Sequence, residues 1–133
     1  MRPYVLVVEN DDDDFNFFVE SFKRLHAKHT VRWVRDGVEC MDFLLGREKM
    51  EAEEEFFLPD IIFLDINMPR KNGFEVLKEI QSQPELREVP IVVLSSETSE
   101  DSLARIYELG AFSYIQKTAD FGHMVNSLKG YFG

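Results

Sequence analysis

Four short apolar runs of this sequence are each followed by side chains that could take part in chemistry. In chain order, these sets are Glu9-Asn10-Asp11, Asp65 with Asn67, Ser95-Ser96 and Gln116-Lys117. Clustered carboxylates repel one another unless a cation or a lysine neutralises them. A few hard oxygen ligands, with room for water and phosphate, suit Mg²⁺ better than zinc or a calcium cage. A carboxylate beside Mg²⁺ and a lysine can attack a phosphoryl group and form an aspartyl phosphate.

These side chains can meet only if the runs are neighbouring parallel strands. Residues 5–8, 61–64 and 91–94 are continuous apolar runs, mostly β-branched, and each follows a proline by one or two positions. This pattern predicts strands that are buried on both faces of a parallel sheet. Residues 112–115 form a looser strand candidate, and the more polar residues 31–34 predict an edge strand.

Apolar residues at intervals of three and four predict a helix after each strand. The five sets are Phe15, Phe18, Phe22 and Leu25; Val38, Met41 and Leu45; Phe74, Leu77 and Ile80; Leu103, Ile106 and Leu109; and Phe121, Met124, Val125, Leu128 and Phe132. Residues 11–14, all Asp, would cap the first helix, and Gly110 would close the fourth. Residues 46–57, rich in Glu, would extend the second helix or form an acidic surface loop.

The alternation of five strands with five helices predicts an α/β fold. It implies a doubly wound parallel sheet with helices on both faces. In such a sheet, ligands bind beyond the carboxyl ends of the strands, near the point where the strand order reverses. The predicted chemical groups all follow strands, so they would converge at that edge.

Composition limits the class of protein. The chain has 133 residues, with 25 acidic and 15 basic side chains and a net charge of −10. This size suits one domain, and the acidic balance argues against nucleic-acid binding. No run is long enough to span a membrane, and the opening residues lack the basic start and small-residue cleavage site expected of a secretion signal. The single Cys40 forms no internal disulfide and is expected to pack in a helix, so we predict a cytoplasmic protein.

Four motifs in order resemble the receiver domain of two-component response regulators (CheY-like). They are Glu9-Asn10-Asp11 after a strand, Asp65-Ile66-Asn67-Met68-Pro69 with Gly73, Val93-Leu94-Ser95, and the stretch from Gly110 to Lys117. The resemblance covers essentially the whole chain and looks most like the stand-alone receivers associated with bacterial phytochromes. It implies a flavodoxin-like sheet of order 2-1-3-4-5 and a single receiver domain over residues 1–133 with no output domain.

The resemblance also implies roles for individual residues. Asp65 would be the phosphoacceptor, Lys117 would form an ion pair with the phosphoryl group, and Ser95 would hydrogen-bond to it. The residues that would hold Mg²⁺ are Glu9, Asn10, Asp65 and the backbone carbonyl of Asn67. Tyr114 would be the aromatic switch partner of Ser95. Gly73 would permit tight backbone geometry, whereas His26, His29 and His123 share no ligand spacing and are assigned no chemistry.

Two positions depart from the family pattern. Asn10 replaces a charged ligand with a neutral one, although its side-chain oxygen can still coordinate a metal. Asp11 is a weaker candidate for contact with the metal through water. Thr118 replaces the proline that usually follows the lysine, and a non-proline cis peptide costs about 2.5–4 kcal/mol. A trans or strained loop is therefore expected after Lys117.

The expected function is that of a response regulator that accepts phosphate from a sensor histidine kinase onto Asp65 with Mg²⁺. Its signal would pass to a downstream protein or to a histidine phosphotransfer protein, and we would not class it as an enzyme. An alternative is a phosphorylation-independent interaction module with a weakened acid pocket. A phosphatase or dehalogenase would need a second acid at position 67, which is Asn. The kinase, the stimulus, the target and the oligomeric state stay open, with a homodimer as one option.

Overall fold

The computed structural model describes residues 3–46, 57–68, 70–96 and 99–132. In that part of the chain, five strands alternate with five helices, as the sequence predicts. The strands are β1 (Tyr4–Val8), β2 (Thr30–Val34), β3 (Ile61–Asp65), β4 (Ile91–Ser95) and β5 (Ser113–Gln116). The helices are α1 (Asp12–Lys23), α2 (Gly37–Leu44), α3 (Gly73–Gln81), α4 (Glu100–Glu108) and α5 (Phe121–Phe132). The acidic stretch at 46–57 falls almost wholly outside the described residues.

The strands form one parallel sheet in the order β2-β1-β3-β4-β5. The predicted doubly wound, flavodoxin-like topology is therefore confirmed. The chain leaves β1 towards one edge and leaves β3 towards the other, so the strand order reverses between these two strands. Because Val8 lies beside Leu64 in the sheet, the residues that follow β1 and β3 come close together at this reversal.

Two apolar layers cover the sheet, and the central strands contribute to both. Val5 and Val7 pack with residues of α1 and α5, whereas Leu6 and Val8 pack with residues of α2, α3 and α4. Successive residues of a strand point to opposite faces, so burial on both faces requires a continuous apolar run. Within the described residues, no helix combines the length and apolar character needed to cross a membrane.

The ends of several elements differ from the sequence prediction. Leu45 and Leu109 lie one residue past the ends of α2 and α4, and a glycine with positive φ follows each of them. The left-handed backbone at Gly46 and Gly110 stops the helical hydrogen bonding. Phe112 was predicted within the last strand, but β5 begins one residue later and the Phe112 side chain is 66% exposed. Phe112 belongs to neither of the two apolar layers.

Candidate functional site

The carboxyl edge of the sheet opens into a pocket of about 710 Å³. Five of the predicted site residues line it: Glu9, Asn10, Asp65, Asn67 and Lys117. Glu9 follows β1, Asp65 ends β3 and Lys117 follows β5, so the sheet topology alone brings these three together. The predicted convergence of carboxylates and an amine is thus present in the structure.

Ser95, Ser96 and Tyr114 lie in different surroundings. Ser95 ends β4 and is 1% exposed, whereas the exposed Ser96 lines the pocket. Tyr114 is partly buried in β5 and packs edge-on against Tyr107, with ring centroids 6.4 Å apart. Of these two serines, Ser96 therefore lines the pocket, whereas Ser95 is buried and does not.

Lys117 joins the carboxylates of the pocket. Its Nζ lies 2.7 Å from Glu9 Oε1, 2.9 Å from Asp14 Oδ2 and 3.3 Å from Asp65 Oδ1. The side chains of Glu9 and Asp65 are 2% and 3% exposed, and that of Lys117 is 21% exposed. The ammonium group therefore offsets part of the cost of burying these two carboxylates.

Burial and mutual charge shift the pKa values of this group. Burial raises the pKa of Glu9 to about 7, and the neighbouring Asp65 carboxylate adds to this rise, whereas the Lys117 hydrogen bond opposes it. Burial also disfavours the ammonium form of Lys117, but hydrogen bonds to Glu9 and Asp14 outweigh burial and raise its pKa. Lys117 is therefore cationic at neutral pH, whereas Glu9 titrates near neutral pH.

The loop after β1 is held in place by groups from β2 and its extension. The indole N–H of Trp33 donates to the Glu9 carbonyl at 2.7 Å, and Phe15 stacks on the Trp33 ring at 3.8 Å. Arg35 donates to the Asn10 carbonyl at 3.3 Å and to Asp12 at 2.5 Å. These contacts fix the backbone that carries Glu9 and Asn10.

The start of α1 adds a second constraint to the same loop. The Asp11 carboxylate accepts the backbone N–H of Asp14 at 2.9 Å, which is the predicted helix cap. The Asp11 backbone N–H in turn donates to Glu9 Oε2 at 3.2 Å. Both oxygens of the Glu9 carboxylate are thus engaged, one by this N–H and the other by Lys117.

The loop after β3 is anchored to the start of α2. Arg70, which has a left-handed backbone (φ 64°), donates through Nε and Nη2 to Asp36 Oδ2 at 2.9 and 2.5 Å. Asp36 is buried and also caps α2 by accepting the backbone N–H of Glu39. A Cβ at Gly73 would lie 2.7 Å from the Ile66 Cα, so the predicted tight geometry there comes from close backbone packing.

Asn67 takes its position from Asp65. The backbone N–H of Asn67 donates to Asp65 Oδ1 at 3.2 Å, which turns the chain immediately after β3. The Asn67 side chain is exposed at the pocket rim. Its backbone therefore stays beside the Asp65 carboxylate.

The donor set suits Mg²⁺ better than a metal that needs many protein ligands. Among the described residues, no three His, Cys, Asp or Glu side chains are grouped to hold a metal ion. The buried carboxylates that line the pocket are those of Glu9 and Asp65, and the Asn10 side chain is exposed. Mg²⁺ keeps several waters and commonly uses one or two carboxylates together with substrate phosphate, so this sparse oxygen set fits it.

The peptide between Lys117 and Thr118 is trans. The backbone N–H of Lys117 donates to the Ser95 carbonyl at 2.8 Å, so the ends of β4 and β5 are joined next to the pocket. Thr118 then contributes to the pocket lining. The departure from proline at this position leaves the Lys117 side chain directed at Glu9 and Asp65.

The sequence did not reveal every residue that shapes the site. Residues 11–14 were expected to cap the first helix, with no contact to the lysine, yet Asp14 contacts Lys117. Trp33, Arg35, Asp36 and Arg70 were also missed, because no motif or spacing connects them to the residues they hold. The only signal was indirect: Asp36 precedes a predicted helix, where an aspartate is a favourable cap.

Comparison with known proteins agrees with this architecture. Residues 5–129 match the model of the response regulator receiver domain. Response regulator Rcp1 from Synechocystis sp. is 32% identical over 126 residues, which cover 95% of this chain and 84% of Rcp1.

Two solved structures are similar over almost the whole fold. That of the phosphorylated cyanobacterial phytochrome response regulator RcpA has a TM-score of 0.83 and 36% identity, and the match covers 98% of this chain and 91% of RcpA. That of Mn²⁺-bound Rcp1 has a TM-score of 0.82 and 32% identity, covering 96% and 90%. With its fold, its strand-end residues and these matches in agreement, the chain belongs to the response regulator receiver domain family.

Proposed function

We propose that this chain receives a phosphoryl group on Asp65 from a phosphohistidine of a sensor kinase, with Mg²⁺ as cofactor. The observation that carries the proposal is the Asp65 carboxylate, which is nearly buried at the end of β3 and lies 3.3 Å from Lys117 Nζ at the pocket. The solved RcpA relative is described as phosphorylated, and Rcp1 as bound to Mn²⁺. Both descriptions support the same chemistry in this chain.

The proposed step is a displacement at phosphorus. A carboxylate oxygen of Asp65 forms the new bond to phosphorus as the bond to the donor nitrogen breaks, and the leaving imidazole keeps the electron pair and takes up a proton. Lys117 supplies positive charge to the phosphoryl oxygens, and the Asn67 backbone holds Asp65 in place. Bound Mg²⁺ would neutralise developing charge on the phosphoryl oxygens. Glu9, Asp65 and the carbonyl of Asn67 would hold it, with Asn10 as a neutral ligand.

Output would pass through the α4–β5 face. The aromatic side chains of Tyr107 and Phe112 are 46% and 66% exposed there. Tyr114 lies in β5 beside β4 and packs against Tyr107, and Ser95 ends β4. The proposed coupling between the pocket and the surface runs through these two residues. A phosphoryl group adds a charge of about −2, which would draw the Ser95 hydroxyl towards the pocket.

Asp65→Asn tests the assignment of the phosphoacceptor. Treatment with acetyl phosphate and Mg²⁺, followed by intact-mass analysis, should add one phosphoryl group to the wild type and none to this variant. Asp60→Asn is the matched control, because Asp60 precedes the opposite end of the same strand and is exposed. Equal labelling of the wild type and Asp65→Asn would remove the assignment.

A second candidate function is a receiver-like interaction module that does not depend on phosphorylation. The neutral, exposed Asn10 favours it, because this residue leaves Glu9 and Asp65 as the buried carboxylates that line the pocket. This candidate predicts no labelling of the wild type and no heat of Mg²⁺ binding. Mg²⁺-dependent labelling that is lost in Asp65→Asn would exclude it.

A further inference from the structure

Lys117 is held by a carboxylate that does not come from a strand end. Asp14, in the first turn of α1, places Oδ2 2.9 Å from Lys117 Nζ, which is shorter than the 3.3 Å to Asp65. With Glu9, three carboxylates lie within 3.3 Å of this nitrogen. The ammonium group has three N–H donors. It donates hydrogen bonds to Glu9 and Asp14, and its contact with Asp65 is an ion pair.

We propose that Asp14 positions Lys117 in the unphosphorylated protein and competes with the incoming phosphoryl group for this lysine. The inference rests on the proposed function, because it assumes that the phosphoryl group binds beside Asp65. Asp14 was not among the predicted site residues. Its proposed role is to engage one N–H donor of Lys117 that the phosphoryl oxygens would otherwise use.

The three partners of Lys117 differ in how easily they can leave. The side chains of Glu9 and Asp65 are 2% and 3% exposed, whereas that of Asp14 is 50% exposed. A buried carboxylate that loses its cation bears a desolvation penalty, but a half-exposed carboxylate is readily hydrated. The contact that the phosphoryl group displaces most easily is therefore the one with Asp14.

The charges in the pocket also favour displacement of Asp14 from Lys117. Asp14 lines the same pocket as Asp65, and a phosphoryl group brings a charge of about −2 into it. Repulsion between this group and the Asp14 carboxylate favours separation of Asp14 from Lys117. Phosphoryl binding therefore competes with an existing ion pair, and removal of that ion pair should strengthen binding.

A purely structural role for Asp14 would give a different result. Acidic residues in the first turn stabilise a helix through its dipole, and Asp12 and Asp13 share this role with Asp14. Asp13 also lines the pocket but is not among the carboxylates within 4 Å of Lys117 Nζ. Asp13→Asn is therefore the matched control, since it removes the same charge from the same turn without touching this ion pair.

The test is calorimetric titration of the Mg²⁺-saturated protein with beryllofluoride, a phosphoryl mimic. We expect Asp14→Asn to bind it about twofold to fivefold more tightly than the wild type, the range typical of a partly exposed ion pair. Asp13→Asn should change the affinity by less. NMR of the ¹⁵N-labelled lysine ammonium groups, recorded before beryllofluoride is added, should show a shifted Lys117 signal in Asp14→Asn and an unchanged one in Asp13→Asn.

The outcomes separate the inference from the proposed function. Equal affinities of the wild type and Asp14→Asn would overturn the inference and leave phosphorylation standing. Equal gains in Asp14→Asn and Asp13→Asn would also overturn it, because the effect would then be one of general charge. If beryllofluoride bound to none of the three proteins, the proposed function would fail and the inference would fall with it.

Discussion

The two sides of the pocket are secured to different degrees. On the β2 side, Trp33 and Arg35 hold the loop after β1, and the buried Asp36 holds Arg70 of the loop after β3. Three residues within four positions of the chain thus hold the loop that carries Glu9 and the loop that follows Asp65.

The β5 side of the pocket is secured mainly through Lys117. Its backbone N–H donates to the Ser95 carbonyl at 2.8 Å, and its side chain forms the ion pairs with Glu9, Asp14 and Asp65. The aromatic Tyr114 beyond it is only partly buried. On the β2 side, the positions of the loops are fixed before any phosphoryl group binds. On the β5 side, Lys117 is held by contacts that a phosphoryl group can replace.

The comparison predicts that the response to beryllofluoride is confined to the β5 side. Hydrogen exchange should change across residues 99–117 and stay constant across residues 30–36. Ser95→Ala should abolish most of this change, because the variant lacks the hydroxyl that would turn towards the phosphoryl mimic. Ser96→Ala should retain the change. A response that survives Ser95→Ala but not Ser96→Ala would assign the switch to the serine that already lines the pocket.

On the β2 side, Asp36→Ala should destabilise the protein by about 2 kcal/mol, because it removes a helix cap and leaves Arg70 without its carboxylate. Denaturant unfolding measures this. Asp12→Ala is the control, since its ion pair with Arg35 is exposed and should contribute less than about 1 kcal/mol. Similar losses in the two variants would mean that the anchor at Asp36 is no stronger than a surface ion pair.

The Asp36 contribution should also depend on pH. Burial works to raise the pKa of Asp36, but the hydrogen bonds from Glu39 and Arg70 outweigh it and lower the pKa below 3.8. A lowered folded-state pKa gives stability that is present above the unfolded value and is lost as the pH falls through the folded value. The stability difference between the wild type and Asp36→Ala should therefore shrink in acid, below about pH 4.

Mg²⁺ affinity should rise with pH across neutrality. Burial raises the pKa of Glu9 to about 7. In the metal-free protein, the Glu9 carboxyl group is therefore mainly neutral below pH 7 and mainly ionised above it. Mg²⁺ binds the ionised form, so calorimetry should show about tenfold tighter binding at pH 8 than at pH 6. Glu9→Gln should flatten this dependence. A wild-type affinity that does not change between these pH values would contradict it.

The smallest expected effect is that of Asn10→Asp. A divalent cation gains more from an added carboxylate than neighbouring single charges lose, so Mg²⁺ should bind about fivefold more tightly. The metal-free variant should be less stable than the wild type, since another negative charge joins Glu9 and Asp65. Titration calorimetry and unfolding in chelator measure the two parts. Unchanged Mg²⁺ affinity would indicate that Asp11 or Asp14 already supplies the missing charge.

The sequence predicted those parts of the molecule that depend on pattern. Continuous β-branched runs identified β1, β3 and β4, and the alternation with helices fixed the sheet class and therefore which loops meet. Glu9, Asp65 and Lys117 could be brought together in this way, because each comes at the carboxyl end of a strand.

The remaining contacts depend on side-chain geometry that no spacing encodes. Lys117 and Asp14 are 103 residues apart in the chain, and Asp36 and Arg70 are 34 apart. Whether their side chains meet is decided by how α1 packs and how the loop after β3 turns. The exposure of Phe112 was missed for a related reason, since a four-residue apolar run does not tell where an edge strand begins.

The chain contains a single tryptophan, and its place gives the protein its own optical probe. Trp33 donates its indole N–H to the carbonyl of Glu9, stacks on Phe15 and lies under the Arg35 guanidinium, 4.4 Å from the ring centre. Indole emission is sensitive to the charge and hydrogen bonding around the ring. Stopped-flow fluorescence of the unlabelled protein can therefore follow, in real time, any event that moves the loop carrying Glu9.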